Sequence, residues 1–286
     1  SRRQLILKKW NAVIGDPISH SMSPSMHSQW FSELTIDATY IPVHVKKEKL
    51  ADAVESLKSL GASGWNVTIP HKEAILPFLD HIDSSAEIMG AVNTIVVEEN
   101  GTLTGYNTDG NGFVNSLEEA MGSNLQELPI LIIGAGGAAR GIAFALNERG
   151  YVNLACANRS FSNAQRLIDD LKSGRAISLE QAETELADFQ IIIQTTPAGM
   201  ITSNVDMPLS LKNVTSSAIV ADIVYNPILT PFLAEAKDRG AHCLNGVGMF
   251  VHQGALSFQK WTNRKPDTKQ TIEQVEQLLG GPHVNR

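Results

Sequence analysis

Pro129-Ile130-Leu131-Ile132-Ile133-Gly134-Ala135-Gly136-Gly137-Ala138-Ala139 is the stretch on which the fold turns. Its first five residues are apolar without alternation, the pattern of a short strand buried on both faces. A glycine-rich turn follows. A helix is then predicted from Ala138 to Arg149, stopped by Gly150. Strand, glycine turn and helix in immediate succession form the context in which Gly-x-Gly-x-x-Ala acquires a meaning. Gly134 permits the tight turn, Gly136 lets backbone amides approach a pyrophosphate, and Ala139 allows close packing of helix on sheet. The unpaired amides and partial positive charge of the helix start then favour phosphate. The turn therefore predicts a bound dinucleotide, with Gly134, Ala135, Gly136, Gly137 and Ala138 in contact with it.

Working outward, the rhythm continues downstream. Strands are predicted at Val152–Ala157, Phe189–Gln194 and Ala218–Val224, and helices at Ser162–Leu171 and Thr230–Arg239. That alternation describes a doubly wound parallel sheet of the Rossmann type. Upstream the chain is also α/β but less regular. Strands are expected at Leu5–Ile14, Thr39–Val45 and Trp65–Ile69, with helices at Met26–Leu34 and Lys46–Leu60. Asn100-Gly101 closes a hairpin between Thr94–Val97 and Thr102–Gly105. Ser23-Pro24 reads as an N-cap followed by proline at the first helical position. The tail is helical at Met249–Trp261 and Thr271–Leu279. The expectation is thus an α/β chain in which an irregular α/β part precedes the doubly wound dinucleotide-binding part.

Bulk properties narrow the classes. The chain has 286 residues, 43% hydrophobic and 19% charged, with a formal net charge of −7. A packed core is expected, and no nucleic-acid or membrane-surface partner. Two cysteines, Cys156 and Cys243, lack metal-ligand spacing and point to a reducing cytoplasm. The start, Ser1-Arg2-Arg3-Gln4, lacks the long apolar run of a signal peptide. No apolar stretch reaches the ~18 residues of a membrane span. No metal site is expected either: His20, His27 and His71 do not form a ligand set.

The end of the second strand bears on which dinucleotide binds. An acidic residue there would bond the ribose 2′-hydroxyl of NAD. This chain has Asn158-Arg159-Ser160 instead. An arginine and a small hydroxyl suit a 2′-phosphate, which favours NADP over the alternative that Arg159 is only a solvated surface charge.

Three upstream segments carry more polar groups than a scaffold needs. They are Ser19-His20-Ser21-Met22-Ser23-Pro24-Ser25-Met26-His27, Gly64-Trp65-Asn66-Val67-Thr68-Ile69-Pro70-His71-Lys72, and Gly90-Ala91-Val92-Asn93-Thr94 continuing to Gly105-Tyr106-Asn107-Thr108-Asp109-Gly110. Taken together, in this order, they make the chain resemble the shikimate dehydrogenase family from Val13 to about Trp261. The resemblance implies NADPH-dependent, reversible reduction of 3-dehydroshikimate to shikimate in aromatic biosynthesis, by a monomer or homodimer. Family members specific for NADP often carry a second basic residue around position 163, where this chain has Asn163, so NAD is kept as a weaker alternative; Arg140, in the helix after the glycine turn, is one residue that could compensate.

The resemblance also implies roles. Ser21 and Ser23 would bind the substrate carboxylate; on the residues alone they are equally a loop serine and a helix cap. Asn66, Thr68 and Asn93 would hydrogen-bond ring hydroxyls, for which amide donors and acceptors are suited. Lys72 would be the catalytic lysine and Asp109 its partner, both touching substrate. Without the resemblance, a surface lysine and an N-cap aspartate for a helix Gly110–Met121 are the simpler reading. In Asp222-Ile223-Val224-Tyr225-Asn226-Pro227, Ile223 would lie near the nicotinamide and Tyr225 near substrate. Gly246 would contribute to the cofactor site, and Gln253 would be a further substrate ligand, so the resemblance implies two domains: residues 1–110 with 247–286 as a discontinuous substrate domain, and 111–246 as the Rossmann-type dinucleotide domain. Two other functions fit parts of the pattern: a quinate/shikimate dehydrogenase using both NAD and NADP, and a catalytically inactive metabolite sensor. The sensor should have lost Lys72 or Asp109, and both are present.

Overall fold

The computed structural model describes residues 8–280. Residues 5–7 of the first expected strand, and the Ser1-Arg2-Arg3-Gln4 start, lie outside them. The described residues divide into two units, one of 8–108 with 254–267, the other of 109–253 with 268–280.

The first unit holds a six-stranded mixed sheet in the order β2-β1-β3-β5-β6-β4. Its strands are β1 (Lys9–Gly15), β2 (Ala38–His44), β3 (Gly64–Val67), β4 (His81–Ile82), β5 (Thr94–Val97) and β6 (Leu103–Tyr106). β1 pairs in parallel with both β2 and β3, and β5, the first strand of the β5–β6 hairpin, runs antiparallel to β3. Gly101 turns that hairpin at φ +83°, a backbone region that penalises a Cβ. Helices α1 (Ser23–Glu33), α2 (Leu50–Ser59) and α3 (Ser84–Met89) belong here. In α2, Leu50, Val54 and Leu57 recur at i, i+4 and i+7 and are buried beside Ala12, Ile14, Trp65 and Ile95. The expected helix Lys46–Leu60 is one 3₁₀ turn, Lys47–Lys49, followed by α2.

An aromatic cluster joins α1 to residues 254–262. Phe258 contacts Trp30, Phe31 and His27, and the His27 ring stacks on Tyr40 at 4.3 Å. A side chain at Gly254 would meet Met26 and Trp30, so glycine there permits the close approach. Both ring nitrogens of His27 are buried without a hydrogen-bond partner, and burial lowers its pKa from 6.5 to about 3. The unfolded chain therefore takes up a proton below pH 6.5 that the folded chain refuses. The stability due to neutral His27 is complete above pH 6.5 and is lost, at about 1.4 kcal/mol per pH unit, as pH falls from 6.5 toward 3. Urea unfolding at pH 7 and pH 5 should show a steeper loss for the parent protein than for His27→Phe. Equal losses would refute this account.

The second unit holds six parallel strands in the order β12-β11-β10-β7-β8-β9. They are β7 (Ile130–Ile133), β8 (Leu154–Ala157), β9 (Arg175–Ile177), β10 (Ile191–Gln194), β11 (Ile219–Asp222) and β12 (His242–Leu244). Ile130 and Ile132 enter one core, with Cys156, Ile191 and Ile193, while Leu131 and Ile133 enter the other, with Ala155 and Ile192. Successive side chains point to opposite faces, so a continuous apolar run is what a doubly covered strand requires. Helices α4 (Asp109–Met121), α5 (Gly137–Glu148) and α6 (Phe161–Leu171) supply residues to the first core. Helices α7 (Leu179–Thr184) and α8 (Pro231–Asp238) supply residues to the second.

The division differs from the expected one near the C-terminus. Helix α9 (Val247–Thr262) begins in the second unit, and the chain enters the first only at Gly254. Helix α10 (Thr268–Gly280) returns to the second unit, although residues 247–286 were all expected in the first. Tertiary contacts explain the return. The Thr268 hydroxyl donates to Glu119 at 2.6 Å, and the Asn245 amide donates to Glu276 at 3.2 Å. Thr271 and Val275 are buried.

Candidate active site

The glycine turn joins β7 to α5 at the carboxyl end of the sheet, where β7 lies between β8 and β10 and the strand order reverses. That reversal is where ligands bind in open α/β sheets. Gly134 has φ +110°, and a Cβ there would collide with the Thr195 hydroxyl. Thr195 is itself anchored, its hydroxyl donating to the Ile133 carbonyl at 2.7 Å. The buried Cys156 thiol donates to the Gly134 carbonyl at 3.3 Å. The turn is therefore held from two neighbouring strands.

Gly136 differs from Gly134. Its backbone is extended, and a Cβ built on it meets nothing within 4 Å. It caps α5 without any side-chain hydrogen bond to the first-turn amides. Ala139 is fully buried in the core. An open approach at Gly136, an uncapped helix start and a small buried residue at the third position fit a pyrophosphate. Downstream, the Asn158 amide donates to the Ser160 carbonyl at 3.0 Å, and Arg159 is exposed. Arg140 is differently engaged: its guanidinium bonds Asp170 at 2.6 Å and lies 5.9 Å over the Phe144 ring. Compensation by Arg140 for Asn163 is thus disfavoured, because its charge is already paired.

In the first unit, several sequence-predicted residues join one hydrogen-bonded chain. The Tyr40 phenol bonds the Ser23 side chain and donates to the Asn66 amide oxygen at 2.7 Å. The Asn66 nitrogen donates to the Asn93 carbonyl, to the Thr94 hydroxyl and to the Ser257 hydroxyl. Thr94 and Ser257 bond each other at 2.7 Å, and Thr94 donates to the Asn93 side chain at 2.8 Å. The Asn93 amide then reaches the Thr108 hydroxyl at 2.9 Å. Asn66 and Asn93 are almost fully buried, so each needs such partners. The Val92 amide bonds the Lys72 carbonyl at 2.8 Å, tying the lysine's turn to the segment that carries Asn93. Thr68 takes no side-chain part in this chain; its methyl packs where a Gly15 side chain would stand.

Ser23 is not the N-cap. Helix α1 begins with Ser23 itself, after Met22, and the Ser21 hydroxyl accepts from the Ser23 amide at 3.3 Å. Ser21 thus takes the polar role assigned to Ser23, which leaves the Ser23 hydroxyl for Tyr40. Asp109 likewise opens α4 as its first helical residue instead of capping a helix Gly110–Met121.

In the second unit, Asp109, Tyr225 and Gln253 share a neighbourhood. A side chain at Gly110 would strike the Gly141 backbone, and one at Gly112 would strike Gln253. The first turn of α4 is thereby pressed against α5 and α9. The Gln253 amide donates to the Phe250 carbonyl at 2.7 Å, and the Phe250 ring lies 5.0 Å from that of Tyr225. Burial, followed by the negative charge of Asp109, raises the Tyr225 phenol above its ordinary pKa. A side chain at Gly246 would meet the carbonyls of Ile223 and Val224, which places that glycine against the loop after β11.

Sequence reading missed Tyr40, Thr94, Thr108 and Ser257. Thr94 and Thr108 lay inside quoted segments but looked like strand and loop residues, and Ser257 is separated by 191 positions from the Asn66 it bonds. No local signal could have found that pairing. Among the described residues, no group of three or more His, Cys, Asp or Glu could hold a metal ion, and no helix is long and apolar enough to cross a membrane.

Comparison with known proteins shows the family. Residues 13–95 match the model of the shikimate dehydrogenase substrate binding domain, 116–229 that of shikimate/quinate 5-dehydrogenase, and 246–276 that of the shikimate 5′-dehydrogenase C-terminal domain. The shikimate dehydrogenase (NADP(+)) of Lysinibacillus sphaericus is 58% identical, over 96% of this chain and 100% of its own. A Thermus thermophilus shikimate 5-dehydrogenase in complex with NADP(H) and shikimate superposes with a TM-score of 0.82 at 34% identity. That match covers 94% of this chain and 99% of the other. A Listeria monocytogenes shikimate 5-dehydrogenase, in complex with shikimate and NAD, gives 0.85 at 32% identity, over 96% and 98%.

Proposed function

The chain belongs to the shikimate dehydrogenase family, and from that premise we propose how its residues divide the work among themselves. It is an NADP-dependent oxidoreductase of aromatic biosynthesis, interconverting 3-dehydroshikimate and shikimate. NADPH supplies the hydride when bound.

The second unit is the cofactor domain. Gly134, Ala135, Gly136, Gly137 and Ala138 hold the pyrophosphate by backbone amides, Asn158, Arg159 and Ser160 hold the adenosine end, and Ile223 and Gly246 border the nicotinamide. The first unit is the substrate domain. There Ser21 and Ser23 take the carboxylate, while Asn66, Thr68 and Asn93 orient ring hydroxyls. Lys72 donates a proton to the oxygen of the carbonyl under reduction and stabilises its developing negative charge. Asp109 accepts a hydrogen bond from a substrate hydroxyl; Tyr225 and Gln253 add further polar contacts. The observation that carries this division is the buried chain from Ser23 through Tyr40, Asn66 and Asn93, anchored beside the turn of Lys72.

The basic test is NADPH oxidation on addition of 3-dehydroshikimate, with no turnover as the refuting result. Arg159 supplies a second. A charge-assisted hydrogen bond contributes about 1.5–3 kcal/mol. Arg159→Ala should therefore reduce the preference for NADPH over NADH roughly ten- to hundredfold, mainly through KM for NADPH. An unchanged ratio would make Arg159 a surface charge. Asn163 and the pairing of Arg140 with Asp170 favour some use of NAD, which assays with quinate and NAD would measure. The working form is a cytoplasmic monomer or homodimer, in keeping with two free thiols.

A further inference from the structure

Asp222 closes β11 at the carboxyl edge of the second unit's sheet, yet its side chain is almost completely buried. One carboxylate oxygen accepts from the Val224 amide at 3.0 Å and from the Gln194 amide at 3.4 Å. The other accepts from the Thr230 hydroxyl at 2.8 Å. Gln194 ends the neighbouring strand, β10, and its side chain is equally committed. It donates to the carbonyls of Thr196 and Ala198 and accepts from the Thr196 amide. Thr230 in turn accepts from the Leu233 amide, which caps α8.

Each of these bonds anchors a loop that leaves the carboxyl end of a strand. Gln194 shapes residues 195–198, whose Thr195 stands against Gly134. Asp222 shapes the loop that begins with Ile223 and contains Tyr225. Burial of a carboxylate is costly, and it pushes Asp222 up to about 6 against the opposing pull of its three hydrogen bonds. An apolar residue would fill a sheet end at lower cost if packing were the only requirement.

We infer that Asp222 is a positioning residue for the nicotinamide half of the cofactor: with Gln194 and Thr230 it ties the loops after β10 and β11 into one frame that sets Ile223 and Tyr225. The inference rests on the cofactor reading above and goes beyond it by naming the residues that act through Ile223 and Tyr225. A carboxylate does this better than an amide because all three of its neighbours are donors. Asparagine would face one of them with its own N–H groups and break a bond without changing volume.

The test compares binding of NADPH with binding of adenosine 2′,5′-bisphosphate, which lacks the nicotinamide. In Asp222→Asn the NADPH dissociation constant should rise about tenfold, and that of the bisphosphate should change less than about twofold. The rate of hydride transfer in a single turnover should fall more than KM for 3-dehydroshikimate rises. Should that variant not fold, Thr230→Val gives the same differential at about threefold, and Thr230→Ser restores what it loses. Equal weakening of both ligands, as general loosening of the domain would produce, overturns the inference. So does unchanged NADPH binding with unchanged turnover. Binding is read without substrate, so a failure of the 3-dehydroshikimate reading appears separately, as absent turnover in the parent protein with the binding difference intact.

Discussion

Replacing Lys72 with alanine should lower kcat by about 10²–10⁴-fold while KM for 3-dehydroshikimate changes by less than about fivefold. The split follows from the proposed role. A residue that meets charge only as it develops on the carbonyl oxygen contributes to the transition state and little to the ground state. Lys72 sits in the turn that follows β3, and its backbone carbonyl holds the Val92 amide. That bond does not depend on the side chain, so the Lys72→Ala turn and the Asn66–Asn93 chain should remain folded. Thermal unfolding of the variant should therefore fall within about two degrees of the parent. Steady-state kinetics at saturating NADPH decide the matter. A modest and equal loss in kcat and kcat/KM would remove Lys72 from proton transfer, and a large rise in KM alone would make it a substrate anchor.

Gly136→Val should leave the fold intact and raise KM for NADPH about a hundredfold, some 2.7 kcal/mol of binding. The backbone of Gly136 is extended, φ −83° and ψ −166°, which any residue adopts, and its Cβ direction is open. An added Cβ meets no atom within 4 Å, so the substitution begins without a collision in the free protein. The new methyls would instead occupy the space through which a pyrophosphate reaches the amides of α5. Gly134→Val should behave in the opposite manner. Its φ of +110° and the adjacent Thr195 hydroxyl make any side chain costly to the protein itself, so stability falls along with binding. Differential scanning calorimetry beside NADPH titration separates the two. If Gly136→Val binds NADPH normally, the pyrophosphate does not lie on this turn.

Much of this molecule was legible in its order of residues. The run from Ile130 to Ile133, the glycine turn and the helix after it were recognisable because their meaning is local. Apolar residues without alternation must be covered twice, and a helix start must leave amides unpaired. The same holds for the hairpin at Asn100-Gly101. Boundaries of elements moved by a few residues, as at Ser23 and Asp109, because capping depends on which neighbour's oxygen is nearest. Short edge pieces such as β4, β9 and β12 passed unnoticed, being two or three residues long with no period of their own.

What the sequence determined by itself was the class of each unit, the glycine turn between strand and helix, and, through resemblance, the family and its substrate; the groups proposed to meet that substrate follow from the same resemblance. Only the tertiary structure decided the company those groups keep. The Ser257 hydroxyl bonds Asn66 across 191 positions, α10 returns to the second unit through Thr268 and Asn245, and Gln194 and Asp222 meet from adjacent parallel strands. Polar satisfaction inside a core is a property of three-dimensional neighbours. Such neighbours are set by how sheets and helices pack, and no reading along the chain contains them.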